Sequence, residues 1–333
     1  MNKRRTHTQR GAALLLAMLT VTLVAALASA ALWQQWRHVA VEEAERERQQ
    51  TGWVLTGALD WARLILREDG RTNQNTGAGD HLAEPWAVGL EEARLSSFLA
   101  ADKNTDPPPT LDAFLSGSIE DQQGRLNWAN LVQQGKLSEA DLRAFTRLYA
   151  QLGLPEAELA SVARLWVQAA LASMADTPEQ QSAAALAPLL PRRLGQLGWL
   201  GMSESSLERL RPYMTVLPER TPLNLNTAPA ELLVAAVPGL DMARARRAVS
   251  ERALKPFKSI ADASAALGST DEALNDAYHG TGSRYFLVTG SLRLGERVVT
   301  EQSLVQRNGL QVNTLWRERT TTRSPTATAP SLQ

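Results

Sequence analysis

The 333-residue chain contains no cysteine, which removes disulfides, thiolate nucleophiles, cysteine-bound zinc and iron–sulfur clusters together. Net charge is also missing. Lys and Arg number 35 against 35 Asp and Glu, so no global basic surface exists to hold a polyanion. Aromatic residues are scarce at 5%, although nine of them are tryptophan. No G-x-S-x-G, H-E-x-x-H, P-loop or G-x-G-x-x-G pattern is present, so no hydrolase or nucleotide-binding signature is available. The four histidines (His7, His38, His81 and His279) are scattered, with none at ligand spacing from another. What is present is a globular composition, 44% apolar and 21% charged, long enough for one large domain or two to three small ones.

The N-terminus carries the strongest signal. Lys3, Arg4, Arg5 and Arg10 precede a charge-free run from Ala12 to Leu32. As a helix that run spans about 31 Å, close to the hydrocarbon thickness of a bilayer. The basic residues ahead of it place residues 1–11 in the cytoplasm and the bulk beyond the membrane, with Trp33 and Trp36 at the interface. Two processing sites compete. Ala28-Ser29-Ala30 has the A-x-A form of a secretory cut and would release a chain starting at Ala31. A cut between Gly11 and Ala12 would instead keep the apolar run. No proline occurs before Pro85, and Val54, Leu55, Ala58, Leu59, Ala62, Ile65 and Leu66 form a helical stripe. These features predict a single helix from Ala12, stopped at Asp69-Gly70.

Arg10-Gly11 followed by AALLLAMLTV resembles the prepilin-type leader of type IV pilins and pseudopilins. The resemblance implies cleavage between Gly11 and Ala12 by prepilin peptidase, methylation of the Ala12 amine, and Ala12 to Leu32 as the membrane anchor. Most relatives have glutamate at the fifth mature position, which is Leu16 here. A buried carboxylate there would pair with a neighbouring subunit's terminal amine.

Downstream, residues 73–79 read as a polar loop, and Asp102 to Pro109, with three consecutive prolines, as a linker. Residues 117–124 read as a strand and turn, and 125–131 as a second extended element. Ser138 opens a helix that Gly153 can close, and Pro155 opens another with Leu159, Val162, Ala163, Trp166, Val167 and Ala170 on one face. Helices follow at 184–190 and 204–210. In 222–262, Thr227 is expected to cap a helix near Pro229, with Val237–Leu240 the turn and Met242–Arg252 the second helix. This pairing resembles helix-hairpin-helix and SAM-like modules. After a short helix at 271–278, residues 285–290, 296–301 and 310–316 read as antiparallel strands joined by turns at Arg293–Gly295 and Arg307–Gly309. A disordered tail is expected from Thr320.

Three stretches, SIEDQQGRLN at 118–127, LNLNTAP with Glu231 at 223–231, and SRYF at 283–286, are similar to landmarks of the general secretion pathway protein K family. The resemblance implies an α+β fold, with a pilin-like long N-terminal helix and antiparallel sheet interrupted by a large α-helical insertion. The expected parts are a leader (1–11), an anchor (12–32), the first pilin-like part (33–131), a helical insertion (132–215), a SAM-like module (216–282), C-terminal strands (283–319) and a tail (320–333). It further implies a non-enzymatic minor pseudopilin at the tip of a type II secretion pseudopilus. The bulk would be periplasmic and the single span would lie in inner-membrane lipid, with the minor pseudopilins I and J as partners. Where many relatives have an acidic D-W-I-D-x-D stretch, this chain has LWVQAALAS at 165–173, so no calcium ligand carries over.

Asp271, Glu272 and Asp276 are the carboxylates left as calcium candidates. Asp102, Asn104 and Asp106 open like a calcium loop, but Pro107 stands where the turn glycine belongs and Ala113 at the twelfth position. The alternative to a pseudopilin is an exported DNA-binding or DNA-uptake protein using 222–262. That module holds Arg244, Arg246, Arg247, Arg252, Lys255 and Lys258 against four acids. Asp241, however, stands where a phosphate would bind the hairpin, and the chain from Ala12 onward has 31 basic against 35 acidic residues. No nucleic-acid partner is therefore expected.

Overall fold

The computed structural model describes residues 10–95, 113–268 and 274–323. The expected leader residues 1–9, the proline linker at 102–109 with its Asp102, Asn104 and Asp106, Asp271, Glu272 and the tail from Ser324 lie outside the described residues. Helix α1, Arg10–Thr76, belongs to two compact units, one ending at Thr56 and the other starting at Gly57. In the first unit, every residue from 12 to 50 is exposed, including Leu14, Leu19, Val24 and Leu27.

In the second unit, the last part of α1 buries Leu59, Ala62 and Leu66, an i, i+3, i+7 stripe. The helix does not stop at Asp69-Gly70; it ends at Gly77, whose φ is +66°. Tertiary packing overrides the local stop signal. Asp69 is buried against Arg307, and a Cβ on Gly70 would come within 3.2 Å of Arg307 Cδ and of the Gly309 carbonyl. Gly70 therefore serves a close approach. A short 3₁₀ turn at Pro85–Ala87 then sets the buried Trp86 edge-on to Phe286, with ring centroids 5.2 Å apart.

Five strands form one antiparallel sheet in sequence order: β1 (Leu90–Arg94), β2 (Ala113–Asp121), β3 (Tyr285–Leu294), β4 (Arg297–Asn308) and β5 (Gln311–Arg323). The β4–β5 hairpin turns at Gly309-Leu310, where the +61° φ of Gly309 is the backbone conformation a two-residue loop requires. The strands run further than their patterns suggested, and Thr320–Arg323 continues β5 by pairing with Arg297–Thr300 rather than beginning a tail. Alternation sorts the faces. Phe286, Val288, Val305 and Val312 join Leu59, Ala62, Leu66 and Trp86, whereas Tyr285 and Leu304 meet Leu217 and Trp316 on the other side.

Between β2 and β3 stand the helices: α2 (Glu139–Gln151), α3 (Glu156–Ser173), α4 (Pro178–Ala184), α5 (Glu204–Leu210), α6 (Ala230–Ala236), α7 (Met242–Leu254) and α8 (Ile260–Leu267). One hydrophobic core runs through them from Leu126 to Leu274, centred on Trp128, which meets Phe145 and Trp166 edge-on. Ser138 caps α2 as expected, and Leu159, Val162, Ala163, Trp166 and Ala170 of α3 face inward.

Four local expectations need correction. The helix placed at 184–190 is α4, six residues earlier in the chain, because Thr177 and Gln180 form a capping box and the prolines at 188 and 191 follow. Residues 125–131 are extended only at Leu126–Asn127; Asn127 then caps a 3₁₀ turn through the Ala129 amide. Thr227 does not cap α6, because its hydroxyl donates to Asp121. The described part of the expected 271–278 helix is a turn around the Asn275 side chain. Helix α8, with its Ser259/Asp262 capping box, was not anticipated.

Candidate functional site

The chain leaves the sheet at Asp121 and returns at Tyr285, and Asp121 pairs with Phe286 in the register of β2 with β3. All intervening residues therefore hang from two neighbouring strands. The three motifs singled out in the sequence meet at this joint. Asp121 accepts from the Gln123 amide (2.7 Å), Asn224 Nδ2 (2.9 Å), Thr227 Oγ1 (2.5 Å) and Ser283 Oγ (2.7 Å). Burial pushes its carboxyl above the usual range, and the bonds from Ser283, Thr227 and Gln123 oppose that shift.

Asparagines in and beside the motifs act as backbone substitutes. Asn130 exchanges both its amide atoms with the backbone of Thr221, at 2.8 and 3.0 Å. Asn226 does the same with Phe257, at 2.9 and 2.8 Å. Asn127 donates to the Glu219 carbonyl at 2.7 Å and accepts from the Leu217 amide at 3.0 Å. A side chain that both donates and accepts is needed wherever irregular backbone is buried, which explains why asparagine fills these positions.

Beside the joint, Asp69 of α1 and Asp80 meet Arg307 of β4. Arg307 donates to Asp69 Oδ2 at 2.6 Å, to Asp80 and to the Ser283 carbonyl at 3.0 Å. Asp80 in turn accepts from the Ser283 amide at 2.6 Å. Asp69, Asp80 and Glu84 each place one carboxylate oxygen within 4.8 Å of the others. The Arg307 guanidinium pairs with two of them, Asp69 and Asp80. Asp69, Asp80, Glu84 and Arg307 escaped the sequence reading, since more than 200 residues separate the acids from the arginine and no spacing links them. Asp276, the calcium candidate that is described, sits exposed in a turn.

The hairpin that could bind DNA is built from α6, the turn 237–240 and α7. Asp241 caps α7 by accepting from the Arg244 amide at 2.8 Å, so the protein's own carboxylate fills the anion position. Arg252 is buried and donates to the carbonyls of Leu225 and Ala228, while Arg147 donates to the Ala235 carbonyl at the end of α6 (2.6 Å). Among the six basic residues of the module, Arg252 thus holds the fold together and Arg244 pairs with Asp241 at 3.4 Å.

Two family models match the chain, at residues 124–219 and 223–281, and both are described as type II secretion system protein K. Type II secretion system protein K of Pseudomonas aeruginosa is 28% identical over 311 residues, covering 90% of this chain and 89% of that protein. The protein of the same description from Klebsiella pneumoniae is 28% identical over 324 residues, covering 91% of this chain and 94% of that protein. The fold is similar to a chain in the crystal structure of the GspK–GspI–GspJ complex from the type 2 secretion system of enterotoxigenic Escherichia coli. The TM-score is 0.57 at 18% identity, over 84% of this chain and 98% of that one. Among the described residues, one helix is long and apolar enough to cross a membrane, and it lies near the N-terminus. Over nine-tenths of its length the chain is thus similar to type II secretion system protein K, and its N-terminal helix fits a single membrane anchor.

Proposed function

We propose that this chain is a non-enzymatic minor pseudopilin of a type II secretion apparatus, placed at the tip of the pseudopilus and active in starting the filament. The single observation that carries the reading is α1, which bears a fully exposed apolar segment and, further along, a buried stripe. An exposed run of this length is stable in lipid and would be costly in water. Residues 1–11 form a leader removed after Gly11, Ala12 becomes the mature terminus, and Ala12 to Leu32 is the anchor. Four basic residues ahead of the anchor favour a cytoplasmic N-terminus, with the remainder in the periplasm.

Two features support the tip. Leu16 offers no carboxylate to the amine of a neighbouring subunit, so this chain does not need a subunit ahead of it. The helices between Asp121 and Tyr285 also add bulk that a uniformly stacked filament cannot repeat. Passage from lipid into a filament exchanges one apolar surface for another and costs little.

Following the relative in the E. coli complex, the partners are subunits of the I and J type. Co-expression of the full chain with both, then affinity purification in detergent, should recover a ternary complex. Recovery of the chain alone would contradict the reading.

A further inference from the structure

Three carboxylates and one guanidinium meet where α1 ends. Asp69 belongs to α1, Asp80 and Glu84 to the segment after it, and Arg307 to β4, and all four are buried. Each group has a defined place. Asp69 Oδ2 takes Arg307 at 2.6 Å and lies 3.4 Å from Asn73 Nδ2. Asp80 takes Arg307 and the Ser283 amide. Glu84 Oε2 accepts from the His81 amide at 2.9 Å and from the Trp86 indole at 2.7 Å. The His81 ring stands 3.9 Å from Glu84 Oε1, and Asp121 at the end of β2 is linked to Asp80 through Ser283. Glu68 and Arg71 of α1 pair with each other at the surface, 3.6 Å apart.

The charges do not balance. Asp69, Asp80 and Glu84 bring carboxylate oxygens within 4.8 Å of one another, Arg307 pairs with the first two, and like charges that close cannot all stay ionised out of water. We propose that this cluster is a proton-loaded latch: a proton shared at Asp69 lets the three acids close around Arg307, and loss of that proton loosens residues 78–88 from α1 and the sheet. Burial and the Glu84 charge lift Asp69 to about 7, against the opposing pull of Arg307. The closed latch therefore binds a proton more tightly than the open one. Closure is firmest at acidic pH, weakens as pH rises from about 4 toward 7, and is level above that. The segment it holds includes Trp86, whose ring closes the core under the sheet.

Hydrogen exchange of the full chain in detergent micelles, read by mass spectrometry between pH 4.5 and 8 and corrected for intrinsic rates, tests this. Protection in residues 78–88 should fall with rising pH, by up to about tenfold per pH unit, and level off near pH 7. Asp69→Asn carries the extra hydrogen permanently and should make the profile flat. Glu84→Gln keeps an acceptor for Trp86 while removing the repelling anion. It should move the fall in protection to lower pH and make it smaller, which keeps the test available if Asp69→Asn does not fold. Protection independent of pH in the unaltered chain would overturn the latch. So would variant profiles that superimpose on the unaltered one.

Discussion

The Ser283 hydroxyl donates to Oδ2 of Asp121 at 2.7 Å, joining residues 162 positions apart at the point where the chain leaves the sheet and comes back. Asp121 also holds Asn224, Thr227 and the Gln123 amide, so one carboxylate gathers four of the bonds at the joint between the helices and the sheet. Asp121→Ala strands those donors in a dry site. It should cost about 3 kcal/mol and lower the melting temperature by roughly 6–12 °C. Asp121→Asn keeps the shape and should cost less. Thermal unfolding in detergent checks both.

The stripe on α1 should show the same contrast between buried and open positions. Leu66 is fully buried, so Leu66→Ala should cost about 3 kcal/mol. Trp53 is 77% exposed, and Trp53→Ala should change the stability of the isolated chain by less than about 0.5 kcal/mol. Denaturant midpoints of the two variants measure the difference.

His279 gives a pH dependence of defined sign. Burial lowers its basicity below the ordinary 6.5, and its bonds with the backbone of Asn275 and Ala236 only partly offset that. The unfolded chain therefore takes up a proton before the folded one does. Stability contributed by the neutral ring is complete above about pH 6.5 and is lost as pH falls below it. Subtracting the His279→Gln stability profile from that of the unaltered chain should isolate this acid-side loss.

Much of the architecture is legible in local chemistry. The charge-free run and the Ser138 cap rest on neighbouring residues alone and appear where the pattern places them, whereas the hairpin turn lies one residue beyond the Asn308-Gly309 signal, at Gly309-Leu310. The errors arise where distant partners override a local signal. Asp69-Gly70 looks like a helix stop but is occupied by Arg307, and Thr227 looks like a cap but is drawn to Asp121. The joint itself was half visible. Its motifs could be picked out as landmarks, but that Asp121, Asn224 and Ser283 touch is a fact of topology that no spacing encodes.

Phosphate binding at the hairpin should be absent, because Asp241 holds the amide that a phosphate would need. A labelled duplex at low salt should migrate unchanged with the full chain. Arg244, Arg246 and Arg247 are all exposed, so their replacement by glutamate should leave the folded state intact. A shift that those replacements abolish would restore the DNA-binding alternative.

The most direct test concerns the first residue of the mature protein. The chain should be expressed with a prepilin peptidase, recovered from the membrane fraction and read by N-terminal sequencing and intact mass. The expected product begins at Ala12, with the apolar segment retained and a methyl group on its amine. A product that begins at Ala31 and appears in the soluble fraction would contradict the anchored pseudopilin.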